Sequence, residues 1–147
     1  MKRLEGPVIL FVLVAAVTIV IAAQNKEHGG RPLTTTLSGA AEVPGPGDTD
    51  GTGTFKATFN PGQNQICYEL KVSNIATPSA AHIHSGGPTV AGPVVLTLKT
   101  PVDGSAKECA DLSKEQVKAI IQKPSDFYVN VHNADFPDGA IRGQLSK

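Results

Sequence analysis

Gly51-Thr-Gly-Thr-Phe-Lys-Ala-Thr-Phe-Asn60, then Pro61-Gly62-Gln63-Asn64, then Gln65-Ile-Cys-Tyr-Glu-Leu-Lys-Val72 decide the fold. In the first run Gly53, Phe55, Ala57 and Phe59 alternate with Thr52, Thr54, Lys56 and Thr58. In the second, Ile66, Tyr68, Leu70 and Val72 alternate with Cys67, Glu69 and Lys71. A period of two places one set on each face of a strand, so both runs have one apolar face and one polar face. Asn60-Pro-Gly-Gln-Asn64 supplies turn residues between them, and the pair is expected to form a hairpin with its apolar side on a core.

The same alternation recurs on both sides of this hairpin. Leu33–Ser38, rich in threonine, is expected to be a first strand, and Ala41–Gly47 (Ala-Glu-Val-Pro-Gly-Pro-Gly) a turn-rich loop in which Glu42 reads as a surface charge. Val94–Leu98 is a further strand after Gly92-Pro93. In Asp126–His132, Phe127, Val129 and Val131 face in while Tyr128, Asn130 and His132 face out. Phe136-Pro-Asp-Gly139 is a turn, and Ala140–Leu145 returns as the last strand, carrying Arg142 and Gln144. One helix is expected from Ser113, with Ser113 and Gln116 as a capping box, Leu112 and Val117 as a hydrophobic staple and Pro124 as its end. Short strands with turn signals between them predict an all-β fold: an antiparallel, Greek-key or immunoglobulin-like β-sandwich with one short helix.

Composition narrows the function. Lys+Arg and Asp+Glu balance at 13 each, so no basic face for nucleic acid is implied. Fifteen glycines and eleven prolines in 147 residues suit a turn-rich β domain better than a helical bundle. Lys2 and Arg3 precede the apolar run Val8–Ala23. Residues 1–23 therefore read as a signal peptide or an N-terminal membrane anchor, and residues 24–32 as a polar linker. The chain is expected to act outside the cytoplasm, secreted, periplasmic or tethered by that segment, with residues 33–147 as one domain. Two cysteines in an exported chain, Cys67 and Cys109, predict one disulfide. No Gly-x-Ser-x-Gly elbow and no glycine-rich loop opening a helix occurs, so no motif demands an enzyme.

The stretch Ala80-Ala-His-Ile-His-Ser-Gly-Gly-Pro88 carries the most chemistry. In a strand, His82 and His84 share one face, roughly 6–7 Å apart, while Ala81 and Ile83 share the other. Two imidazoles so placed can converge on one metal ion. His132, outward on its own strand, could join them, and three imidazoles suit copper or zinc. The plain alternative is three outward histidines that hydrogen-bond to loops. His28 reads as a solvated linker residue.

Leu37-Ser-Gly-Ala-Ala-Glu-Val-Pro44, Ala81-His-Ile-His84 followed by Gly92-Pro-Val-Val95, and Tyr128-Val-Asn-Val-His132 with Phe136-Pro-Asp-Gly-Ala-Ile-Arg-Gly-Gln-Leu145 resemble the CHRD (chordin) domain. The resemblance covers about Leu33 to Leu145 and implies a β-sandwich found in exported proteins, with a poorly defined activity. A looser resemblance is to copper–zinc superoxide dismutases, in which a His-x-His and a later strand histidine help bind copper. It implies a copper-binding part for His82, His84 and His132, and an anion-attracting part for Arg142. The bridging histidine and zinc-binding loop of those enzymes have no counterpart here, so no zinc–copper pair is implied. Three functions follow in order: an exported metal-binding module, a non-catalytic envelope or extracellular domain that binds a protein or matrix partner, and a superoxide dismutase-like enzyme.

Overall fold

The structure is a computed structural model that describes residues 30–147. The apolar leader and His28 lie outside the described residues. Eight strands follow in chain order: β1 (Arg31–Ser38), β2 (Thr52–Asn60), β3 (Gln65–Ser73), β4 (Pro78–Ser85), β5 (Val94–Leu98), β6 (Ser105–Asp111), β7 (Phe127–Asn133) and β8 (Ile141–Gln144). The helix α1 (Lys114–Gln122) lies between β6 and β7 in the chain.

The predicted hairpin is β2–β3, with Phe55 opposite Leu70, Ala57 opposite Tyr68 and Phe59 opposite Ile66. Its turn is closed by the Asn60 side-chain oxygen, which accepts from the backbone N–H groups of Gly62 and Gln63. All pairings are antiparallel, and the strands form one sheet in the order β5-β4-β7-β8-β1-β2-β3-β6. The sheet curls on itself, so two arms share one core. Phe55, Phe59, Ile66 and Leu70 come from the β1-β2-β3-β6 arm, and Ile83, Val129, Val131 and Ile141 from the β5-β4-β7-β8 arm. Each such fully buried side chain stabilises by roughly 1.5–3 kcal/mol. The arms join only where β8 meets β1, at the single aligned pair Ser38 and Arg142, helped by a bridge between Thr34 and Ser146.

Local sequence accounts for the other elements. The Ser113 hydroxyl accepts from the Gln116 N–H at 3.1 Å while the Gln116 side chain accepts from the Ser113 N–H at 2.8 Å. This is the capping box expected at the start of α1, which packs Val117 and Ile120 on the core. Cys67 and Cys109 stand directly opposite each other on β3 and β6 and are joined in a disulfide. Both are exposed on the outer face.

Candidate metal centre

Ala81 and Ile83 are fully buried in the core, which sends His82 and His84 to the other face of β4. Strand β7 runs beside β4 with Ala80 opposite His132, His82 opposite Asn130 and His84 opposite Tyr128. Strand β8 then sets Arg142 opposite Asn130 and Gln144 opposite Tyr128. Register alone therefore gathers His82, His84, His132, Asn130, Tyr128 and Arg142 on one patch of sheet.

The three predicted histidines meet. One ring nitrogen from each lies within 4.8 Å of the others. The His82 Nδ1 to His132 Nε2 separation is 3.1 Å. Two backbone carbonyls set the tautomers. His84 Nδ1–H donates to the Gly92 oxygen at 2.8 Å, and His132 Nδ1–H donates to the Pro137 oxygen at 2.9 Å. Each of these rings then presents Nε2 as a lone pair. The His84 Nε2 atom is buried and has no hydrogen-bond partner. Such a carbonyl-anchored imidazole is the arrangement metal-binding histidines use. Zinc or copper at about 2 Å from each nitrogen needs the nitrogens roughly 3–4 Å apart, a spacing to which the more distant of these atoms must draw in.

Electrostatics favour neutral His82 and His84 rings. Burial lowers the His82 pKa, and the neighbouring His132 and His84 charges lower it further. Burial also lowers the His84 pKa, with the His132 and Arg142 charges in the same direction. The hydrogen bond to Gly92 and the Asn130 amide oppose this. Imidazoles held neutral are the form that binds a metal.

The alternation reading set this face outward, and it is outward from the core, with His82 and His132 half-buried and the rest of the patch covered. Tyr128 and Asn130 are buried at 2% and 3% exposure, His84 at 8% and Arg142 at 1%. A loop is fastened over them. Arg142 donates to the Gly87 oxygen, Gln144 donates to the Gly86 oxygen, and the Gly92 N–H donates to the Tyr128 hydroxyl. His84 stacks on the Tyr128 ring with centroids 4.8 Å apart, and the Arg142 guanidinium covers that ring at 3.4 Å. Arg142 is packed away beneath this loop, so it is not the solvent-facing anion attractor that the dismutase resemblance implies.

Glu42 corrects the sequence reading outright. It is 5% exposed rather than a surface charge, and burial raises its pKa to about 7, against the opposing Arg142 charge and a Val43 hydrogen bond. The carboxylate lies against Gly139, whose φ of +145° and lack of Cβ both matter: a side chain there would collide with it. The two glycines and two prolines near Glu42 announce a loop but not that the loop folds inward. The glycine of Phe136-Pro-Asp-Gly139 was the one signal that a close approach occurs there.

The family model of the CHRD domain matches residues 33–145. No curated protein and no solved structure matches the chain.

Proposed function

Since the chain belongs to the CHRD-domain family across residues 33–145, we propose that it is an extracytoplasmic metal-binding module that takes copper or zinc through His82, His84 and His132. The observation that carries this reading is the buried, unpartnered Nε2 of His84, in a cluster with two further imidazole nitrogens. Leaving a buried acceptor without a partner costs about 1–3 kcal/mol, which metal coordination recovers. Export is supported by the basic and apolar pattern of residues 1–23 and by the exposed Cys67–Cys109 disulfide, a bond suited to oxidising compartments. Sequestration or transfer of the ion fits this site better than the dismutase-like reading, because Arg142 is held under the loop.

The test is metal content of protein purified without an immobilised-metal column, followed by titration of the metal-free protein with Zn2+ and Cu2+. About one ion per chain is expected, lost on replacing any of the three histidines by alanine. Protein that neither carries nor takes up either ion would end this reading and leave the partner-binding alternative. Cell fractionation tests export: a full-length soluble cytoplasmic protein would contradict it.

A further inference from the structure

The patch beside the imidazoles holds a fourth acceptor. Asn130 lies on β7 opposite His82 and two residues before His132, on the face the histidines share. Asn130 is almost wholly buried, and its Oδ1 has no hydrogen-bond partner. His84 has already used its Nδ1–H on the Gly92 oxygen, which leaves its buried Nε2 as a second unpartnered acceptor. Two buried acceptors on this patch therefore have no donor bonded to them. Nearby donors do not resolve this. Arg142 spends its guanidinium on the Gly87 oxygen, Gln144 and the Tyr128 ring, and its remaining Nη1 makes no bond to Asn130.

The unpartnered Asn130 Oδ1 and His84 Nε2 are two buried acceptors beside the imidazole cluster, and a bound metal ion would use both lone pairs. We propose that the Asn130 amide oxygen is a fourth ligand, completing a set of three nitrogens and one oxygen that selects Zn2+ or Cu2+ over Cu+. This deepens the metal-binding reading and rests on it. The selectivity follows from donor hardness: imidazole nitrogen with a carbonyl oxygen suits borderline divalent ions, whereas Cu+ seeks thiolate or thioether sulfur. Among the described residues the only two sulfur atoms available from cysteine are tied in the disulfide on the other arm.

The experiment compares wild type, Asn130→Leu and Asn130→Asp for Zn2+ affinity by chelator competition, for Cu+ affinity, and for the visible ligand-field spectrum of the Co2+-loaded protein. Asn130→Leu should weaken Zn2+ at least tenfold, leave Cu+ affinity unchanged and shift the Co2+ bands. Asn130→Asp should hold Zn2+ at least as tightly as wild type and also shift the bands, because a carboxylate replaces an amide. Equal Zn2+ affinity in Asn130→Leu with unchanged Co2+ bands would overturn the assignment. If Asn130→Leu fails to fold, the Asp variant decides: Co2+ bands identical to wild type remove Asn130 from the ligand set. Wild-type protein that takes up no Zn2+, Cu2+ or Co2+ is a different failure, that of the three-histidine site itself.

Discussion

The outer faces of the two arms carry polar residues in the same alternation but in different surroundings. On β2, β3 and β6, Lys56, Thr58, Cys67, Lys71 and Lys107 are exposed, and the one ion pair there, Lys71 with Glu69 at 3.2 Å, is largely solvated. Exposed pairs of this kind contribute about 0–1 kcal/mol. On β4, β7 and β8 the outward His84, Tyr128, Asn130 and Arg142 are roofed by the Gly86–Gly92 loop, and several end with buried atoms that no protein group satisfies. Polar groups in water need no partner, while polar groups under a roof do. The second arm is therefore where unsatisfied polar groups and the imidazole cluster gather, and the first arm is where the covalent brace lies.

If the arms are that separate, a change on one should leave the other's property intact. The largest effect is expected from the brace. Cys67→Ser with Cys109→Ser opens a loop with a sequence separation of 42 and should lower stability by about 4 kcal/mol on the chain-entropy account, read as a drop in the urea midpoint. Metal affinity of the folded variant should stay at the wild-type value. A parallel loss of metal would break the separation.

Next in size is His132→Ala, expected to weaken Zn2+ or Cu2+ about a hundredfold, close to 2.7 kcal/mol by the affinity scale. Lys56→Ala on the opposite arm should leave the titration unchanged. Loss of binding with acid sharpens the contrast further. Because burial lowers the His82 and His84 pKa values from 6.5, binding should persist somewhat below pH 6.5 and vanish at still lower pH, as protons displace the ion.

Smaller is a pH effect on the stability of the metal-free protein, with two opposing signs on the roofed arm. Glu42 moves from 4.5 to about 7 on folding. The folded state then holds the extra proton, so this group's contribution is fully present below about pH 4.5 and is lost as pH rises through 7. The lowered histidines act the other way: their contribution is present above 6.5 and is lost as pH falls through their folded values. Glu42→Gln should remove the first limb only. Relative to wild type it should gain about 1–2 kcal/mol between pH 5 and pH 8, allowing for partial solvation. Identical pH profiles for the two proteins would show that Glu42 does not titrate in that window.

The smallest effect belongs to neither face. Ser113→Ala removes the cap of α1 and should cost about 1 kcal/mol. An unchanged midpoint would mean that the helix start is held by Leu112 and Val117 alone.

Much of this architecture was legible in the sequence because it is local. The β2–β3 hairpin follows from a period of two over nine residues on each side of a turn, and the capping box from Ser113 and Gln116. Alternation also gave the shared face of His82 and His84 correctly. The meeting with His132 was legible only through the family resemblance, since 50 residues separate it from His82 and no spacing rule spans that distance. Coverage was not legible at all. Nothing in Tyr128, Asn130 or Arg142 says that a loop some 40 residues earlier will be fastened over them, and a carboxylate in a Pro- and Gly-rich loop reads as exposed until its neighbours are known. Face is a property of a strand, whereas burial of the outer face is a property of the whole fold.

The narrow junction between the arms has a further consequence for the order of folding. Thr34 and Ser146 exchange backbone hydrogen bonds at 2.9 Å each way, across a separation of 112 residues. The only aligned pair beside them is Ser38 with Arg142. Contacts so distant along the chain carry a large loop-closure entropy and form late, while hairpins such as β2–β3 form early. The Ser146 amide should accordingly gain protection in pulsed hydrogen exchange after the amides of β2 and β3. Arg142 sits in that late-closing junction and also covers Tyr128, on which His84 stacks. The cover over Tyr128 and His84 is thus tied to the last contacts of the fold to close.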